Sequence, residues 1–193
     1  MTLRAQGREQ RLRTVRETAG RLFREQGYEM TTVRQIASAA GVSTGTVMSC
    51  GDKASLLLQS VEDAIDALMP PVGDGVDPDA DPTDLVWRCY APYFDLYSAV
   101  PELARPYTVL LVSAGGNHPA LGAQADLFTE IVAGRIRSGH PQVGEEAARL
   151  TAEALFAAYL HALLLWVSGV AELETAVAGF RRQIDWQLLR FTA

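Results

Sequence analysis

The sequence predicts an all-α protein of about nine helices, with a three-helix N-terminal domain that contains a helix-turn-helix and a larger helical C-terminal domain. Apolar residues recur at spacings of three and four along most of the chain, which is the helical period. Segments of this kind are separated by capping residues and by glycine or proline, and no alternating strand pattern of useful length appears. With 193 residues and 48% hydrophobic residues, the chain is long enough for one or two domains with a substantial core.

A first helix is predicted from about Glu9 to Gln26, and Gly27 ends it. Its apolar face recurs at the helical period. The residues of this face are Leu12, Val15, Ala19, Leu22 and Phe23.

Two short helices joined by a tight turn follow the first helix. Thr32 and Gln35 have the spacing of a capping box, which marks a helix start. Gly41 is predicted to end that helix, and Ser43 to cap a second one that extends over residues 44–49. Two short helices with a glycine in the turn, the second rich in small polar residues, are typical of a helix-turn-helix that enters the DNA major groove.

A fourth, longer helix is predicted after the motif, with Asp52 as its N-cap and an apolar face from Leu56 to Leu68. Charge divides the chain at the same place. The first 53 residues carry nine basic and five acidic side chains, a net charge of +4, within a chain whose total is −6. The remainder is therefore at −10, and a basic head on an acidic body favours contact with phosphate through the head. We predict domains at 1–53 and 54–193.

The run LFREQGYEMTTVRQIASAAGVSTGTV, followed by GDKASLL at residues 51–57, resembles the N-terminal domain of the tetracycline-repressor (TetR) family of bacterial regulators. The resemblance covers about the first third of the chain. It implies a homodimeric DNA-binding transcriptional regulator, expected to be a repressor that a small-molecule effector releases from a palindromic operator. The larger domain is then expected to bind the effector and to dimerise.

Candidate DNA contacts follow from the geometry of the motif. Polar groups at helix starts bind phosphates, whereas side chains of the second helix read base edges. The phosphate candidates are Thr32, Arg34, Ser43, Thr46 and Lys53. The base-reading candidates are Thr44, Met48 and Ser49, since threonine and methionine can contact a thymine methyl group.

The recognition helix also departs from the family pattern. Family members usually carry a basic residue where this chain has Thr44 and an aromatic residue where it has Met48, and a further aromatic usually precedes the segment that begins at Gly51. The alternative hypothesis is therefore a dimeric ligand-binding or interaction protein of the same fold with a degraded recognition helix.

The rest of the chain is predicted to contain helices only. A linker rich in proline, glycine and aspartate is expected at about 70–83, and a loop at 115–119. Pro92 and Pro106 are expected to kink or interrupt the helices that contain them. The predicted helices cover about 84–98, 121–138, 145–168 and 173–191, and a further one begins near Pro101 and is bent or interrupted at Pro106 before the run TVLLVSA.

The last two helices are predicted to form a partner surface. Residues 154–171 contain only His161 as an ionisable side chain, so a membrane span is an alternative, although no Lys or Arg flanks it. Glu153 and Glu172 at its ends and Tyr159 and His161 within it argue against a membrane. The TetR resemblance implies a four-helix dimer interface. Its candidate residues are Leu164, Val167, Val177, Phe180, Ile184 and Leu188.

Aromatic residues of the second domain are candidates for a small-molecule site that accepts an apolar or aromatic effector. Singly, each is the kind of residue that also fills a core, and His161 on an apolar helix has the alternative of a buried core histidine. The candidates are Trp87, Tyr90, Phe94, Tyr107, Phe128, His161 and Trp166.

No catalytic constellation, phosphate loop or metal-ligand spacing is visible, so neither enzymatic activity nor a cofactor or metal is expected. Two cysteines are too few for a disulfide framework, and without a visible secretory signal a reducing cytoplasm is expected. Cys50, beside the recognition helix, is a candidate redox switch.

Overall fold

The computed structural model describes residues 3–68, 81–113 and 119–191. Within these ranges it contains nine α-helices and no strand, which confirms the predicted fold class. The helices are α1 (Leu3–Gln26), α2 (Val33–Ala40), α3 (Thr44–Met48), α4 (Lys53–Leu68), α5 (Pro82–Ala99), α6 (Pro101–Ser113), α7 (Pro119–Gly139), α8 (Glu145–Val167) and α9 (Leu173–Leu189).

The helices cluster into two compact units. The first contains α1 to α4 together with Ala99–Leu110, and the second contains α5 up to Ser98 and α7 to α9. Within the described chain, connections between the units follow Leu68, Ser98 and Leu110. This division describes packing, and the functional boundary after residue 53 stays a prediction.

The first unit is built around α1, which packs against α2 and α4, while α2 packs against α3. The predicted apolar face of α1 is largely correct, since Val15, Ala19 and Phe23 are fully buried. The helix begins at Leu3, six residues earlier than predicted. Its first turns are polar, so the apolar period on which the prediction relied gives no signal there.

The helix-turn-helix forms as its capping residues predict. Thr32 makes both bonds of the capping box with Gln35, and Gly41 ends α2 with a φ of 65°. Ser43 caps α3 by accepting a hydrogen bond of 3.1 Å from the backbone N–H of Thr46. These local bonds explain why the motif can be recognised from sequence.

The second unit is held together by aromatic packing. α7 packs against α8 and α8 against α9, and rings from α5 fill the space beside them. Pro92 lies inside α5, and Pro106 lies inside α6, without ending either helix. Pro82 and Thr83 form the first turn of α5 and not the end of a linker. The remainder of the predicted linker, and most of the predicted 115–119 loop, lie outside the described residues.

α8 is the helix whose length and composition would also suit a membrane span. In the second unit it is instead a packing centre, with Leu155, Tyr159, Leu163 and Trp166 all buried. Core helices can have the same length and composition, so this one helix is weak evidence for a membrane span.

Candidate functional site

The turn from α1 to α2 positions the helix-turn-helix. Thr31 is fully buried there, and its hydroxyl donates a hydrogen bond of 2.8 Å to the Gly27 carbonyl oxygen. The side-chain amide of Gln26 donates to the same Thr31 oxygen at 3.1 Å. These bonds fix the end of α1 to the start of α2, and sequence reasoning did not find Thr31 because its partners carry no motif.

The three base-reading candidates lie on one exposed surface. Val47 is fully buried and anchors α3 to the unit, whereas Met48 is 54% exposed. Thr44 and Ser49 are also exposed. The alternation of a buried Val47 with exposed neighbours gives α3 one inner and one outer face, as a recognition helix requires.

The phosphate candidates differ in how far their polar groups are already engaged. The Thr32 and Ser43 hydroxyls accept the capping bonds of α2 and α3, and Ser43 Oγ lies 3.0 Å from Thr46 Oγ1. Arg34 is exposed in the first turn of α2. Lys53 is half-buried, and its ammonium group donates a hydrogen bond of 3.0 Å to the Tyr28 carbonyl oxygen. Arg34 is therefore the candidate with the greatest freedom to reach a phosphate.

The arginines of α1 are partly paired along the helix. Arg21 and Glu25 form an exposed ion pair of 2.7 Å, and Arg13 lies 3.7 Å from Glu17. Exposed pairs of this kind contribute little to stability. The paired acidic side chains reduce the positive electrostatic potential along α1. Arg16, which is exposed, is among the side chains that contribute to this potential.

Cys50 does not have the surroundings of a reactive thiol. Burial raises its pKa, and Arg16 lowers it by a smaller amount. The thiol donates a hydrogen bond of 3.3 Å to the Thr46 carbonyl oxygen. Because the thiolate is the reactive form, a raised pKa does not favour Cys50 as a redox switch.

An aromatic cluster in the second unit brings together three of the ligand candidates. The Tyr90 ring lies 4.8 Å from the Phe128 ring, and the Phe94 ring lies 5.5 Å from that of Tyr159. Tyr90 also packs edge-on against Phe180 at 4.8 Å. These rings are nearly or wholly buried, so α5, α7, α8 and α9 meet in one apolar centre.

Tyr90 is the unusual member of this cluster. It is fully buried, and its hydroxyl has no hydrogen-bond partner within the described residues. Burial raises its pKa well above the ordinary value of 10.0, so the hydroxyl stays protonated. The neighbouring pair Tyr97 and Tyr159, in contrast, share a hydrogen bond of 2.9 Å. An unsatisfied buried hydroxyl is uncommon in proteins and marks a place for a polar partner.

The other ligand candidates are placed elsewhere. Tyr107 belongs to the first unit. The Trp166 ring stacks on the Tyr97 ring with 6.1 Å between their centroids. Trp87 is half-buried beneath the Arg181 guanidinium, 4.7 Å from its ring. His161 is exposed on α8, so it is neither in the aromatic cluster nor the buried core histidine of the alternative interpretation.

The dimer candidates are corrected by the packing of α9. Phe180, Ile184 and Leu188 are at most 2% exposed because they face the interior of their own unit. Val177 and Val167 are half-buried, and Leu164 alone of the six is well exposed, at 43%. A stripe of spacing three and four shows that a helix has an apolar face and leaves open which neighbour covers it.

The outer face of the last two helices contains other large apolar residues. Leu150 and Leu164 on α8 are exposed, as are Trp186 and Leu189 on α9, with Trp186 at 69%. Residues of the same two helices also line a groove of about 290 Å³, with Ala158, Ala162 and Gly179 as well as His161, Arg182 and Gln183 among the lining residues. We define these four large residues and this groove as the α8–α9 face.

A helix-turn-helix on a basic head, in a chain whose other unit is all-helical with a large aromatic core, is an arrangement typical of DNA-binding transcriptional regulators. Residues 15–49 match the model of the bacterial regulatory proteins of the tetR family. The matched segment covers the helix-turn-helix and the second half of α1, and in these residues the chain is similar to that family.

Individual relatives agree with this assignment. The HTH-type transcriptional regulator HbdR from Aromatoleum sp. (strain CIB) is 33% identical over 103 residues, which cover 53% of this chain and 43% of HbdR. The matched region thus spans less than half the length of that curated relative.

Solved structures share the fold across the whole chain. A TetR transcriptional regulator from Rhodococcus sp. RHA1 superposes with a TM-score of 0.71 at 20% identity and covers 100% of both chains. Thermus thermophilus FadR, a TetR-family repressor in complex with lauroyl-CoA, gives a TM-score of 0.72 at 18% identity over 92% of this chain and 93% of its own. At sequence identities of 18% and 20%, the similarity establishes a shared fold alone.

Proposed function

We propose that this protein is a dimeric, cytoplasmic repressor that binds a palindromic operator through α3 and leaves it when a small apolar or aromatic molecule binds the second unit. The observation that carries the proposal is the outer face of α3. Thr44, Met48 and Ser49 are exposed there although the helix is anchored by Val47. The net charge of +4 on the first 53 residues supplies the attraction to phosphate.

Dimerisation is supported by the α8–α9 face. Trp186 and Leu164 would remain in water in a single protomer, and the small residues Ala158, Ala162 and Gly179 in the groove leave room for a second helix pair. A two-fold dimer presents the same surface twice, so it matches an operator with two-fold symmetry. Half-sites are then about one helical turn or a multiple of it apart.

The effector site is proposed at Tyr90 and the rings around it, with Phe94 and Phe128. An effector with an apolar or aromatic body would replace ring contacts, and one polar atom on it would satisfy the Tyr90 hydroxyl. The structure of FadR with lauroyl-CoA supports the capacity of this fold to accept an apolar chain. Rings that pack at 4.8 Å must separate to admit such a ligand.

Release from the operator requires coupling between effector and DNA. α4 begins directly after the helix-turn-helix, and α6 contains residues of both units. A change in the second unit can reach the head through these covalent routes. Coupling free energies of about 1–3 kcal/mol are typical and change affinity by roughly 5- to 150-fold.

The proposal is tested by measuring operator affinity with and without candidate effectors. Fluorescence anisotropy of a labelled duplex should show specific binding that an effector weakens, and Tyr90→Phe should reduce the response to the effector. An effector that binds tightly and leaves the affinity for DNA unchanged would contradict the release mechanism.

A second function is favoured by one feature of α3. Residues 43–51 contain no charged or amide side chain, so the chain can also be interpreted as a dimeric ligand-binding or interaction protein whose recognition helix has degraded. Under that hypothesis an effector binds normally, and no duplex binds better than competitor DNA. Neither hypothesis assigns the protein an enzymatic activity.

A further inference from the structure

The outer face of α3 has an unusual chemical composition. It consists of Thr44, Gly45, Met48 and the capping residue Ser49, all of which are exposed. The side chains that read guanine and adenine by paired hydrogen bonds are arginine, lysine, asparagine and glutamine. None of these occurs between residues 43 and 51.

Most of the polar groups on this helix are already engaged within it. The Ser49 hydroxyl donates a hydrogen bond of 2.7 Å to the Thr46 carbonyl oxygen. The Ser43 oxygen receives the Thr46 N–H at 3.1 Å and lies 3.0 Å from the Thr46 hydroxyl. Apart from the Thr44 hydroxyl, what the face offers is therefore apolar, namely the Met48 side chain at 54% exposure and the methyl group of Thr44.

We propose that Met48, with the Thr44 methyl group beside it, reads thymine in the operator through the C5 methyl group in the major groove. This inference rests on the proposed operator binding and specifies its chemistry. Thymine alone of the four bases presents a methyl group in the major groove. A long, polarisable thioether side chain suits an apolar contact whose geometry is not fixed by hydrogen bonds.

Gly45 supports a close approach of α3 to the bases. Its φ is not in the positive range, so its backbone does not require glycine. A Cβ added there would meet its nearest neighbour, Ser43 Oγ, at 3.7 Å, which is ordinary contact. Neither the backbone conformation nor the packing within the protein requires glycine at this position. Its missing side chain leaves space on the outer face, next to Thr44, for the DNA backbone or a base.

The experiment is a selection of duplexes from a random library by the full-length protein, followed by substitution of single bases. In the selected sequence, each thymidine is replaced in turn by deoxyuridine in both half-sites, which removes only the methyl group. Burial of one such carbon is worth about 0.8 kcal/mol, or roughly fourfold in affinity. We expect a loss of about fifteenfold at one or two thymine positions and no change elsewhere, since each position occurs twice.

The variant Met48→Ala assigns the contact. At the sensitive position it should bind thymidine and deoxyuridine duplexes equally, and circular dichroism should show an unchanged fold because Met48 is exposed. Met30→Ala is the matched control, since Met30 is 72% exposed and lies outside α3. It should keep the full preference for thymidine.

Two results would overturn the inference in different ways. If a sequence is enriched but deoxyuridine is tolerated at every position, the readout is not by methyl contact; if Met48→Ala keeps the preference, Met48 is not the reader. In both cases operator binding still stands. If no sequence is enriched, the proposed operator binding itself is wrong, and this inference is wrong with it.

Discussion

The ammonium group of Lys53 lies 4.1 Å from the centroid of the Tyr28 ring and donates a hydrogen bond of 3.0 Å to the carbonyl oxygen of the same residue. Tyr28 lies in the turn after α1, and Lys53 begins α4. The two contacts therefore connect both flanks of the helix-turn-helix. This geometry gives Lys53 a structural role in addition to the phosphate contact that the sequence predicts.

Removing the charge of Lys53 should destabilise the head. Lys53→Met keeps most of the aliphatic stem and removes the cation–π contact and the hydrogen bond, which together are worth about 1 kcal/mol. Urea unfolding should show this decrease in the free energy of unfolding. Tyr28→Phe is the control, because it keeps both the ring and the carbonyl oxygen, and it should be neutral. A neutral Lys53→Met would contradict the structural role.

Acid should weaken the start of α4. The Asp52 carboxylate accepts a hydrogen bond of 2.8 Å from the Ser55 backbone N–H and another of 2.8 Å from the Ser55 hydroxyl. These bonds, the backbone one first, lower the Asp52 pKa below its ordinary value of 3.8. Since the pKa is lower in the folded state, the stabilisation is complete above the unfolded pKa and is lost as pH falls through the folded pKa.

Asp52→Asn provides the comparison, because asparagine also caps helices and does not titrate. Unfolding measured from pH 7 to pH 3 should show the wild type losing stability relative to Asp52→Asn below about pH 4. Parallel pH profiles for the two proteins would show that the cap does not depend on the charge.

Two glycines near α3 should respond in opposite ways to alanine. Gly51 has a φ of 134°, and a Cβ there would lie 2.8 Å from the Ser55 Cβ, so Gly51→Ala should destabilise by about 1–3 kcal/mol.

Gly45→Ala should leave stability unchanged or raise it by up to about 1 kcal/mol, because alanine favours helix. It should nevertheless weaken DNA binding. A stable Gly45→Ala protein with full DNA affinity would show that α3 needs no close approach there.

The α8–α9 face should control the oligomeric state. Trp186→Glu places a charge on the exposed face and should convert a dimer to a monomer in light scattering, with unchanged helix content. Leu127→Glu is the matched control, since Leu127 is 42% exposed on α7, and it should remain dimeric. A Trp186→Glu protein that stays dimeric would place the interface elsewhere.

The buried Tyr90 hydroxyl, unpaired within the described residues, should lower the stability of the unliganded protein relative to a variant without it. An unsatisfied buried polar group costs about 1–3 kcal/mol, so Tyr90→Phe should unfold at an equal or higher temperature than wild type. The same variant should bind effector more weakly. A clear loss of thermal stability in Tyr90→Phe would show that the hydroxyl has a favourable role without ligand.

Sequence reasoning succeeded where the cause is local. Thr32, Ser43 and Asp52 were identified as helix starts because each accepts a hydrogen bond from the residue three positions along the chain. The same reasoning could not find the contact of Lys53 with Tyr28, since 25 residues separate the partners and neither belongs to a cap motif.

Sequence reasoning failed where residue spacing identifies the apolar face of a helix but not the part of the structure that covers it. Ile184 and Leu188 belong to a true apolar stripe, yet that stripe faces the core of its own unit. Trp186, between them in sequence, is the exposed residue. His161 shows the same limit, because an apolar sequence around it gave no sign that its own side chain faces outward.

The central claim is that this head reads DNA, and the most direct measurement compares a selected duplex with a scrambled duplex of the same composition at two salt concentrations. We predict saturable binding to the selected duplex that survives competitor DNA and weakens steeply as salt is raised. In Arg34→Ala, the slope of log affinity against log salt concentration should be smaller by about one. Equal affinity for the selected and scrambled duplexes at both salt concentrations would contradict the claim.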